Sequence, residues 1–288
     1  MVGDYGEVVI MNWGAVKVMT DEEQRSGEQN LTSIHSETVD GTVLGTPAYM
    51  SPEQAEGLPL DLSPLRGAPL SYFEAQGTPI QQLEPLKGMP LTHLNIAETD
   101  VTDLRPLEGC PIESLNVSAL DIHHFGDLVS LALTKLNLSG SSIARLEVLS
   151  ELKLDSLNLS AALLAKDLSP LRDIPLKSLN LAFTAIKDLN HLKGMELTNL
   201  DISDSKIADL TPLQGMPLRS LVLNQCPVAS LVPLRGMPLE TLSLDNTKVT
   251  DLTPLIGIDS LKRLSVPDWK NLTEGSVEFL KCLKRQGE

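Results

Sequence analysis

A short apolar core of the form Leu-x-Leu returns every 21 or 22 residues between residues 94 and 266. The successive pairs are Leu94/Ile96, Leu115/Val117, Leu136/Leu138, Leu157/Leu159, Leu179/Leu181, Leu200/Ile202, Leu221/Leu223, Leu242/Leu244 and Leu264/Val266. A fixed period of this length is typical of a solenoid, because a single unit cannot bury its apolar face and must stack on copies of itself. The pattern therefore predicts a stack of repeats that presents a large surface.

The full repeat reads Pro-Leu-x-x-Leu-x-Leu-x-x-Thr-x-Val-x-Asp-Leu-x-Pro-Leu-x-Gly-Met, with clean copies from Pro90 to Gly109 and from Pro238 to Gly257. This repeat resembles the leucine-rich repeat family, in the short bacterial form of internalin-type proteins. The resemblance covers residues 58–268 and implies the fold class. We expect an α/β solenoid, a leucine-rich repeat right-handed horseshoe with a parallel concave sheet, short convex turns and a C-terminal capping helix.

The position after each strand carries a side chain that can hydrogen-bond to the turning loop. A hydroxyl or thiol replaces the asparagine usual in the family, and it can still bond to backbone groups. The residues concerned are Thr99, Ser141, Thr184, Ser205, Cys226 and Thr247. Two copies carry Leu120 and Ala162 instead, and these side chains cannot form such bonds. We therefore predict local irregularity in those two copies.

Aspartates recur before Leu-x-Pro-Leu, or before Leu-x-His-Leu in one copy, at Asp103, Asp188, Asp209 and Asp251. Aspartate suits the cap of a short helical turn, because its carboxylate accepts hydrogen bonds from free backbone N–H groups. A proline in the first turn costs no hydrogen bond, and a following glycine permits a left-handed exit. These aspartates are therefore predicted to be caps rather than catalytic groups.

The sequence after residue 268 leaves the repeat. Pro267-Asp268-Trp269 interrupts the pattern, and Ser276 opens an amphipathic stretch whose apolar residues lie on one helical face. Because the last repeat would otherwise expose its leucines, residues 269–288 are predicted to form a capping helix. A helix lying on a membrane surface is the alternative, which the small number of basic residues disfavours.

The chain carries a formal net charge of −15, and residues 1–57 contribute −8 of it from ten acidic and two basic side chains. This balance argues against nucleic acid or a membrane surface as a partner. Three scattered cysteines and the His123-His124 pair lack the spacing of a disulfide framework or metal site. We expect no cofactor, no metal and, without a signal peptide or membrane span, a cytoplasmic location.

Residues 1–57 differ from the repeats and contain two family-like segments. Gly3-Asp4-Tyr5-Gly6-Glu7-Val8-Val9-Ile10-Met11-Asn12-Trp13-Gly14 resembles the strand pair and metal-binding loop of bacterial serine/threonine protein kinases. Gly45-Thr46-Pro47-Ala48-Tyr49-Met50-Ser51-Pro52-Glu53-Gln54 resembles the end of their activation segment, with Ser51 departing from Ala-Pro-Glu. The resemblance implies a degenerate metal-loop position at Asn12 and Gly14, and an activation-segment end at Thr46, Pro52 and Glu53.

Most of the elements that phosphoryl transfer requires are missing from this chain. Such transfer needs a glycine-rich loop, a strand lysine, a catalytic aspartate and two metal ligands. Asn12 replaces the metal-binding aspartate, and half a repeat begins at Leu58, where the family continues into a helical lobe. We predict a disordered, truncated kinase fragment over residues 1–57 and no enzymatic activity. Either this fragment is the remnant of a degraded gene, or the true start lies upstream of Met1 in a longer pseudokinase.

The side chains that alternate with the inward leucines are candidates for a binding face. The predicted concave face comprises His93, Asn95, Asn116, Lys135, Asn137, Asn158, Asn180, Asp201, Asp245 and Arg263. This polar face either binds a partner through hydrogen bonds or is a solvated surface whose stacked amides stabilise the sheet. Phe183, just beyond one strand, is the candidate for an exposed anchor.

Two functions follow from these patterns. The first is a non-catalytic scaffold of cytoplasmic signalling type that binds a protein partner through its repeats. The alternative is the C-terminal, regulatory part of a serine/threonine kinase or pseudokinase whose catalytic portion lies upstream of Met1. A third reading is a structural relic without a partner.

Overall fold

The computed structural model describes residues 7–9, 58–122 and 124–286. Residues 7–9 form a strand. The rest of residues 1–57, the segment predicted to be disordered, lies outside the described residues. The same holds for His123 and for the kinase-like positions Asn12, Gly14, Thr46, Pro52 and Glu53. The chain forms two compact units, Met1–Leu133 and Thr134–Glu288. Each unit is built from the same short repeat.

The first unit contains four parallel strands that pair in chain order. They are β1 Glu7–Val9, β2 Tyr72–Glu74, β3 His93–Asn95 and β4 Ser114–Asn116. The 3₁₀ segments of this unit are Ser63–Leu65, Glu84–Leu86, Arg105–Leu107 and Phe125–Ser130. From β2 onward, each repeat therefore consists of one strand and one short helical turn.

The second unit contains seven parallel strands, and each pairs with the next one in the chain. They are β5 Lys135–Asn137, β6 Ser156–Asn158, β7 Ser178–Asn180, β8 Asn199–Asp201, β9 Ser220–Val222, β10 Thr241–Ser243 and β11 Arg263–Ser265. Its 3₁₀ segments are Glu147–Glu151, Ser169–Leu171, Asn190–Leu192, Thr211–Leu213, Val232–Leu234, Thr253–Leu255 and Trp269–Asn271. Helix α1, Glu274–Gln286, follows.

The predicted fold class, a leucine-rich repeat solenoid with parallel strands, short turns and a C-terminal helix, is confirmed. In strands β2 to β10 the middle residue is buried and the two flanking residues are at least partly exposed, as the alternation predicts. The buried residues form ladders in which each repeat contacts the next, as at Leu179, Leu200 and Leu221. Among the described residues, no helix is long and apolar enough to cross a bilayer.

One strand does not follow the Leu-x-Leu pattern, whose first copy is at Leu94. Strand β2 lies 21 residues earlier, and both Phe73 and Ala75 are fully buried there. Thr78 occupies the slot after the strand, and its Oγ1 donates to the carbonyl oxygen of Ala75 at 2.6 Å. The Leu-x-Leu pattern does not identify this copy, because an aromatic residue replaces the first leucine and a small residue replaces the second.

The slot after each strand forms the expected bonds in most copies. The hydroxyls of Thr99, Thr184 and Thr247 donate to the carbonyl oxygen three residues earlier, at 2.8, 2.6 and 2.9 Å. Cys226 differs, because its Sγ contacts the Ile202 carbonyl oxygen of the preceding repeat at 3.0 Å. Ser141 is the exception. Its Oγ is buried and, alone among the buried side-chain oxygen and nitrogen atoms of the described residues, has no hydrogen-bond partner.

Leu120 and Ala162 occupy the slot with apolar side chains, which are buried (2% and 0% exposed) and form no hydrogen bond. Irregularity follows both residues, as predicted. The 3₁₀ segment after Leu120 extends over six residues, and the loop after Ala162 exposes Leu163 and Leu164. The segment after Ser141 is also longer than the usual three residues, at five. Irregularity is therefore not limited to the two copies that lack a polar slot residue.

Replacing Ser141 by threonine is expected to stabilise the protein. The added methyl group restricts the side-chain rotamer, so that the hydroxyl can reach the Leu138 carbonyl oxygen as the equivalent threonines do. One such bond contributes about 0.5–1.5 kcal/mol, which urea unfolding would detect. The matched control, Thr184→Ser, is expected to lose about 0.8 kcal/mol with its buried methyl group. No gain from Ser141→Thr would mean that the Ser141 hydroxyl already has a partner.

The repeated aspartates do cap the helical turns, but from one position further out than predicted. The N-cap residue of each turn is a leucine without a side-chain cap bond, and the aspartate precedes it. The aspartate Oδ1 accepts from the N–H of the first helical residue, at 2.8–3.1 Å for Asp103, Asp188, Asp209 and Asp251. Asp61 and Asp167 form the same bond, at 2.8 Å, in copies not singled out from the sequence. The carboxylates therefore satisfy donors that a helix start leaves free.

Acid is expected to destabilise the fold because the capping carboxylates must be protonated. The Arg105 side chain and then its backbone N–H lower the pKa of Asp103 from 3.8 to about 2. Hydrogen bonds donated by the residue two positions later in the chain also lower the pKa values of Asp61, Asp167, Asp209 and Asp251. Groups with a depressed folded pKa stabilise above the unfolded value and lose that contribution as the pH falls. The urea midpoint should therefore drop between about pH 4 and about pH 2.

The control for this acid effect is Asp103→Asn, which keeps the acceptor oxygen and removes the titrating group. Its urea midpoint should depend less on pH between about pH 4 and about pH 2 than that of the unmodified chain. Equal dependence in both proteins would contradict the role given to Asp103.

The C-terminal helix begins later than the predicted boundary at residue 269 and contacts the last repeat through a serine. Helix α1 starts at Glu274, and the Thr273 Oγ1 accepts from the Ser276 N–H at 3.3 Å, as an N-cap does. Ser276 lies within the first turn rather than before it and is fully buried. Its Oγ accepts from the Leu252 N–H at 2.7 Å and donates to the Thr250 carbonyl oxygen at 3.2 Å. The helix is thereby joined to the final turn of the solenoid.

Candidate interaction surface

The centre of the exposed strand face in the second unit is a row of side chains in register. Asn137, Asn158, Asn180 and Asp201 occupy the same position on strands β5 to β8. Each Oδ1 accepts from the backbone N–H two residues on, at 3.0 Å for Asn137 and 2.9 Å for the other three. The strand end thus fixes the orientation of every side chain in this row, which we call the amide row.

The fixed oxygens leave the amide nitrogens of the row directed away from their own backbone. Within the described residues, the Nδ2 groups of Asn137, Asn158 and Asn180 have no hydrogen-bond partner. Neighbouring strands lie about 4.8 Å apart, so these donors recur at that interval. No hydrogen bond joins one of these three amides to another, because their oxygens bond to their own strand ends. The row can therefore offer three donors to acceptor groups on a partner.

The remaining sequence candidates of the second unit do not join the amide row. Val222 follows Asp201 in the same column and interrupts its polarity. Lys135 and Arg263 lie in the neighbouring column, on the first and last strands of the unit. Asp245 lies beyond β10 and accepts a hydrogen bond from the Ser265 hydroxyl. The sequence pattern placed all of these residues on one face, but only the row of four is contiguous.

Phe183 is exposed over 56% of its surface, three residues after Asn180. Its backbone lies in the left-handed region at φ 58°, and its N–H donates to the Ser203 carbonyl oxygen at 2.8 Å. The equivalent position is left-handed in other repeats too, and glycine fills it at Gly77 and Gly140. A bulky residue is uncommon in this region because its Cβ crowds the backbone. Phe183 therefore places an exposed aromatic ring at a position where a smaller residue would fit more easily.

The first unit contains His93, Asn95 and Asn116 from the sequence candidates, together with residues that were missed. Asn95 and Asn116 are in register, and each Oδ1 accepts from the N–H two residues on. Tyr72 and Glu74, on the overlooked strand β2, lie beside His93 and Asn95. The 21-residue spacing back from His93 to Tyr72 was the signal that could have identified them.

Charged pairs line the strand starts of the second unit. Lys177 Nζ lies 2.6 Å from Glu196, and both Arg219 and Lys262 lie 2.6 Å from Glu240. Hydrogen bonds from Lys262 and then Arg219 hold the pKa of Glu240 below its usual value. These pairs are solvent-accessible and contribute little to stability. They neutralise the carboxylates of Glu196 and Glu240.

The described residues contain no group of three or more His, Cys, Asp or Glu side chains placed to hold a metal ion. Two open depressions of about 280 and 520 Å³ lie in the second unit, and neither is lined by the amide row. The geometry fits recognition through a surface better than binding in a pocket.

Comparisons with known proteins support the repeat fold. The InlF internalin of Listeria monocytogenes matches with 26% identity and a TM-score of 0.62, over 68% of this chain and 60% of that chain. The internalin C2 of the same organism matches with 22% identity and a TM-score of 0.51, over 68% of this chain and 80% of that chain. These similarities confirm the resemblance to internalin-type leucine-rich repeats. No family profile matches the chain.

A short stretch is similar to a protein kinase. The serine/threonine-protein kinase PknD of Protochlamydia amoebophila is 40% identical in an alignment of 63 residues, and the match covers 20% of this chain. The chain spans only 6% of the length of that kinase. The similarity supports the kinase resemblance, while the activity of the whole kinase does not transfer to this chain.

Proposed function

We propose that this chain is a non-catalytic scaffold whose leucine-rich repeats bind another protein through their exposed strand face. The observation that carries the proposal is the amide row, in which three oriented donors repeat at the strand spacing. A protein partner can satisfy such donors with carbonyl or carboxylate oxygens, one repeat at a time. The internalin-like fold supports this function, because solenoids expose one extended face to their partners.

Phe183 is the anchor that we propose beside the amide row. Aromatic residues are enriched among the few side chains that dominate binding energy at protein interfaces. Its left-handed backbone has a conformational cost that a glycine at this position would avoid. We therefore assign the exposed ring at this position to binding rather than to folding.

Binding to an immobilised chain tests the proposal, with matched variants of equal exposure. Phe183 and Val232 are both 56% exposed, and Val232 belongs to a 3₁₀ segment rather than to the strand face. Proteins captured from cells that express the chain would be identified, purified and titrated against Phe183→Ala and Val232→Ala. We expect at least about a tenfold loss of affinity for Phe183→Ala and little change for Val232→Ala. Equal losses, or no saturable partner, would contradict the proposal.

The alternative function is that of the C-terminal part of a serine/threonine kinase or pseudokinase. The short similarity to PknD favours it, and we place the chain in cytoplasmic signalling on the same basis. All three cysteines are free, which agrees with a reducing compartment. An in-frame glycine-rich loop, lysine and His-Arg-Asp motif upstream of Met1 would support this alternative. Saturable Mg²⁺-ATP binding that disappears on removal of residues 1–57 would also do so.

A further inference from the structure

The last strand of the second unit is less covered than the strands before it. In strands β2 to β10 the middle residue and the residue two positions after it are at most 3% exposed. On β11 the equivalent residues, Leu264 and Val266, are partly exposed. Helix α1 does not bury them fully, because its buried serine, Ser276, joins it to Thr250 and Leu252 instead. The helix therefore contacts the turn before β11 and leaves β11 itself partly exposed.

The backbone of β11 has hydrogen-bonding groups that face away from the sheet. The Arg263 N–H donates to the Glu240 carbonyl oxygen at 2.9 Å, and the Ser265 carbonyl oxygen accepts from the Leu244 N–H at 3.1 Å. Arg263 and Ser265 therefore direct these groups toward the preceding repeat. Because successive residues of a strand direct their backbone groups to opposite sides, the N–H and C=O of Leu264 point away from β10.

A further donor, the N–H of Val266, lies just beyond the end of β11. In earlier repeats the equivalent N–H donates to the third residue of the next strand, at 2.8 Å for Leu181, 2.9 Å for Leu223 and 3.1 Å for Leu244. The Val266 N–H has no acceptor within the part of the chain that the structure describes. Unpaired groups along a strand edge form a template on which another chain can pair. The edge of β11 is therefore open to an additional strand.

Arg263 gives the open edge a positive charge. Its side chain is exposed and, among the described residues, forms neither a salt bridge nor a hydrogen bond. The neighbouring Lys262 differs, because its Nζ lies 2.6 Å from Glu240. An acidic side chain directly across from Arg263 on an added strand would complement this charge. The edge therefore favours a segment with an acidic residue opposite Arg263 and an apolar residue opposite Leu264.

The first unit shows how an edge of the same type of sheet is paired. Strand β1 comes from a distant part of the sequence and pairs in parallel with β2. Its first residue is Glu7, and its middle residue, Val8, lies in register with Phe73. A short segment that begins with an acidic residue and continues with valine can therefore pair with an edge of this fold.

We infer that the free edge of β11 binds an extended segment of another protein as an additional parallel strand. The segment presents an acidic residue opposite Arg263, followed by apolar, polar and apolar residues opposite residues 264–266. Main-chain hydrogen bonds give such a strand its affinity, and the alternating side chains give it specificity. A parallel strand fits because its third carbonyl oxygen then accepts from the Val266 N–H, as in the earlier repeats. This edge is separate from the amide row, so it is a second binding site beyond the proposed function.

The test uses the full chain and a fluorescent nine-residue peptide in which glycine and serine flank Glu-Val-Thr-Val. In the proposed register the threonine N–H donates to the Leu264 carbonyl oxygen, whereas the N–H of the first valine points away from β11. N-methylation of the threonine removes that donor and crowds the edge, so fluorescence anisotropy should show at least about a tenfold loss of affinity. N-methylation of the first valine should cost less than about threefold. An equal or larger loss from the valine methyl group, or no saturable binding of the parent peptide, would overturn the inference.

Charge reversal tests the pairing with Arg263. Arg263→Glu should weaken binding of the parent peptide at least about fivefold, and a peptide with lysine in place of glutamate should bind this variant more tightly than the parent peptide does. The control, Lys193→Glu, makes the same charge change at the exposed end of a 3₁₀ segment and should alter affinity less than about twofold. Similar losses in both variants would show diffuse attraction and contradict a site at β11.

Hydrogen exchange gives a readout that does not depend on charge. In the free chain the Val266 amide should exchange rapidly, and saturating peptide should slow its exchange at least about tenfold. The Leu244 N–H, which already donates to Ser265, should change little. Unchanged exchange at Val266 in the presence of bound peptide would contradict pairing at this edge.

The outcome is independent of the test of the proposed function. Phe183 lies outside β11, so Phe183→Ala should leave peptide binding unchanged. If a protein partner is captured through Phe183 but the peptide does not bind, the present inference fails and the scaffold function stands. If the peptide binds with the expected pattern while no partner is captured through the strand face, the β11 site stands and the proposed function fails.

Discussion

Replacing Leu200 by alanine is expected to lower the free energy of unfolding by about 2–5 kcal/mol. Leu200 is the middle residue of β8, is 1% exposed and lies in register between Leu179 and Leu221. Removal of its side chain loses transfer free energy and leaves a cavity between two repeats. Since each repeat contacts only its neighbours, the array has few other contacts that could take up the loss. Urea or thermal unfolding measures the effect.

Leu163→Ala is the matched control for this substitution. Leu163 belongs to the same unit and is 61% exposed, so the same chemical change there should alter stability by less than about 0.5 kcal/mol. A small effect at Leu200, comparable with that at Leu163, would mean that the ladder of inward leucines does not form the core.

Replacing Ser276 by alanine is expected to cost about 1–3 kcal/mol, because it leaves a buried backbone donor without an acceptor. The Ser276 Oγ accepts from the Leu252 N–H and donates to the Thr250 carbonyl oxygen, so both bonds are lost. The end of the solenoid that helix α1 contacts should therefore open first. Hydrogen exchange resolved by segment should show increased exchange at Leu252 before any change near Leu179.

Ser150→Ala is the control for the loss of a serine hydroxyl. Ser150 is exposed, and its Oγ donates only to the Glu147 carbonyl oxygen, so its removal should change stability by less than about 0.5 kcal/mol. Equal effects of the two serine substitutions would indicate that helix α1 does not depend on the buried contact.

The strand ladder could be predicted from the sequence because its determinants are local and periodic. Burial of alternate residues follows from the strand geometry, and a 21- or 22-residue period places Leu179, Leu200 and Leu221 in one ladder. The periodic argument failed where the residue types changed. Phe73 and Ala75 fill the same two positions in β2 without resembling Leu-x-Leu.

Other features depend on contacts between repeats or on backbone detail that a periodic pattern does not specify. The capping aspartates were correctly recognised, but their offset from the N-cap depends on which N–H the carboxylate reaches. The position of Ser276 inside helix α1 is set by the Leu252 N–H, which lies 24 residues away in sequence.

The candidate surface was predictable as a set of outward positions, whereas its donor geometry was not. Alternation identified Asn137, Asn158 and Asn180, but the bonds from their oxygens to the strand ends determine where the amide nitrogens point. The hydrogen bond from the Asn95 Nδ2 to Glu74 joins side chains of two adjacent strands. Such combinations require the register of the sheet.

Site-specific photo-cross-linking tests the central claim, protein recognition by the exposed strand face, most directly. A photoreactive phenylalanine analogue would replace Asn158, within the amide row, or Gln214, an exposed residue at the end of a 3₁₀ segment. In cells that express the chain, the Asn158 variant should yield a discrete product with one protein. Excess chain without the photoreactive residue should suppress this product. The Gln214 variant should yield little cross-linked product. Absence of a product at Asn158, or equal products at both positions, would contradict binding through the strand face.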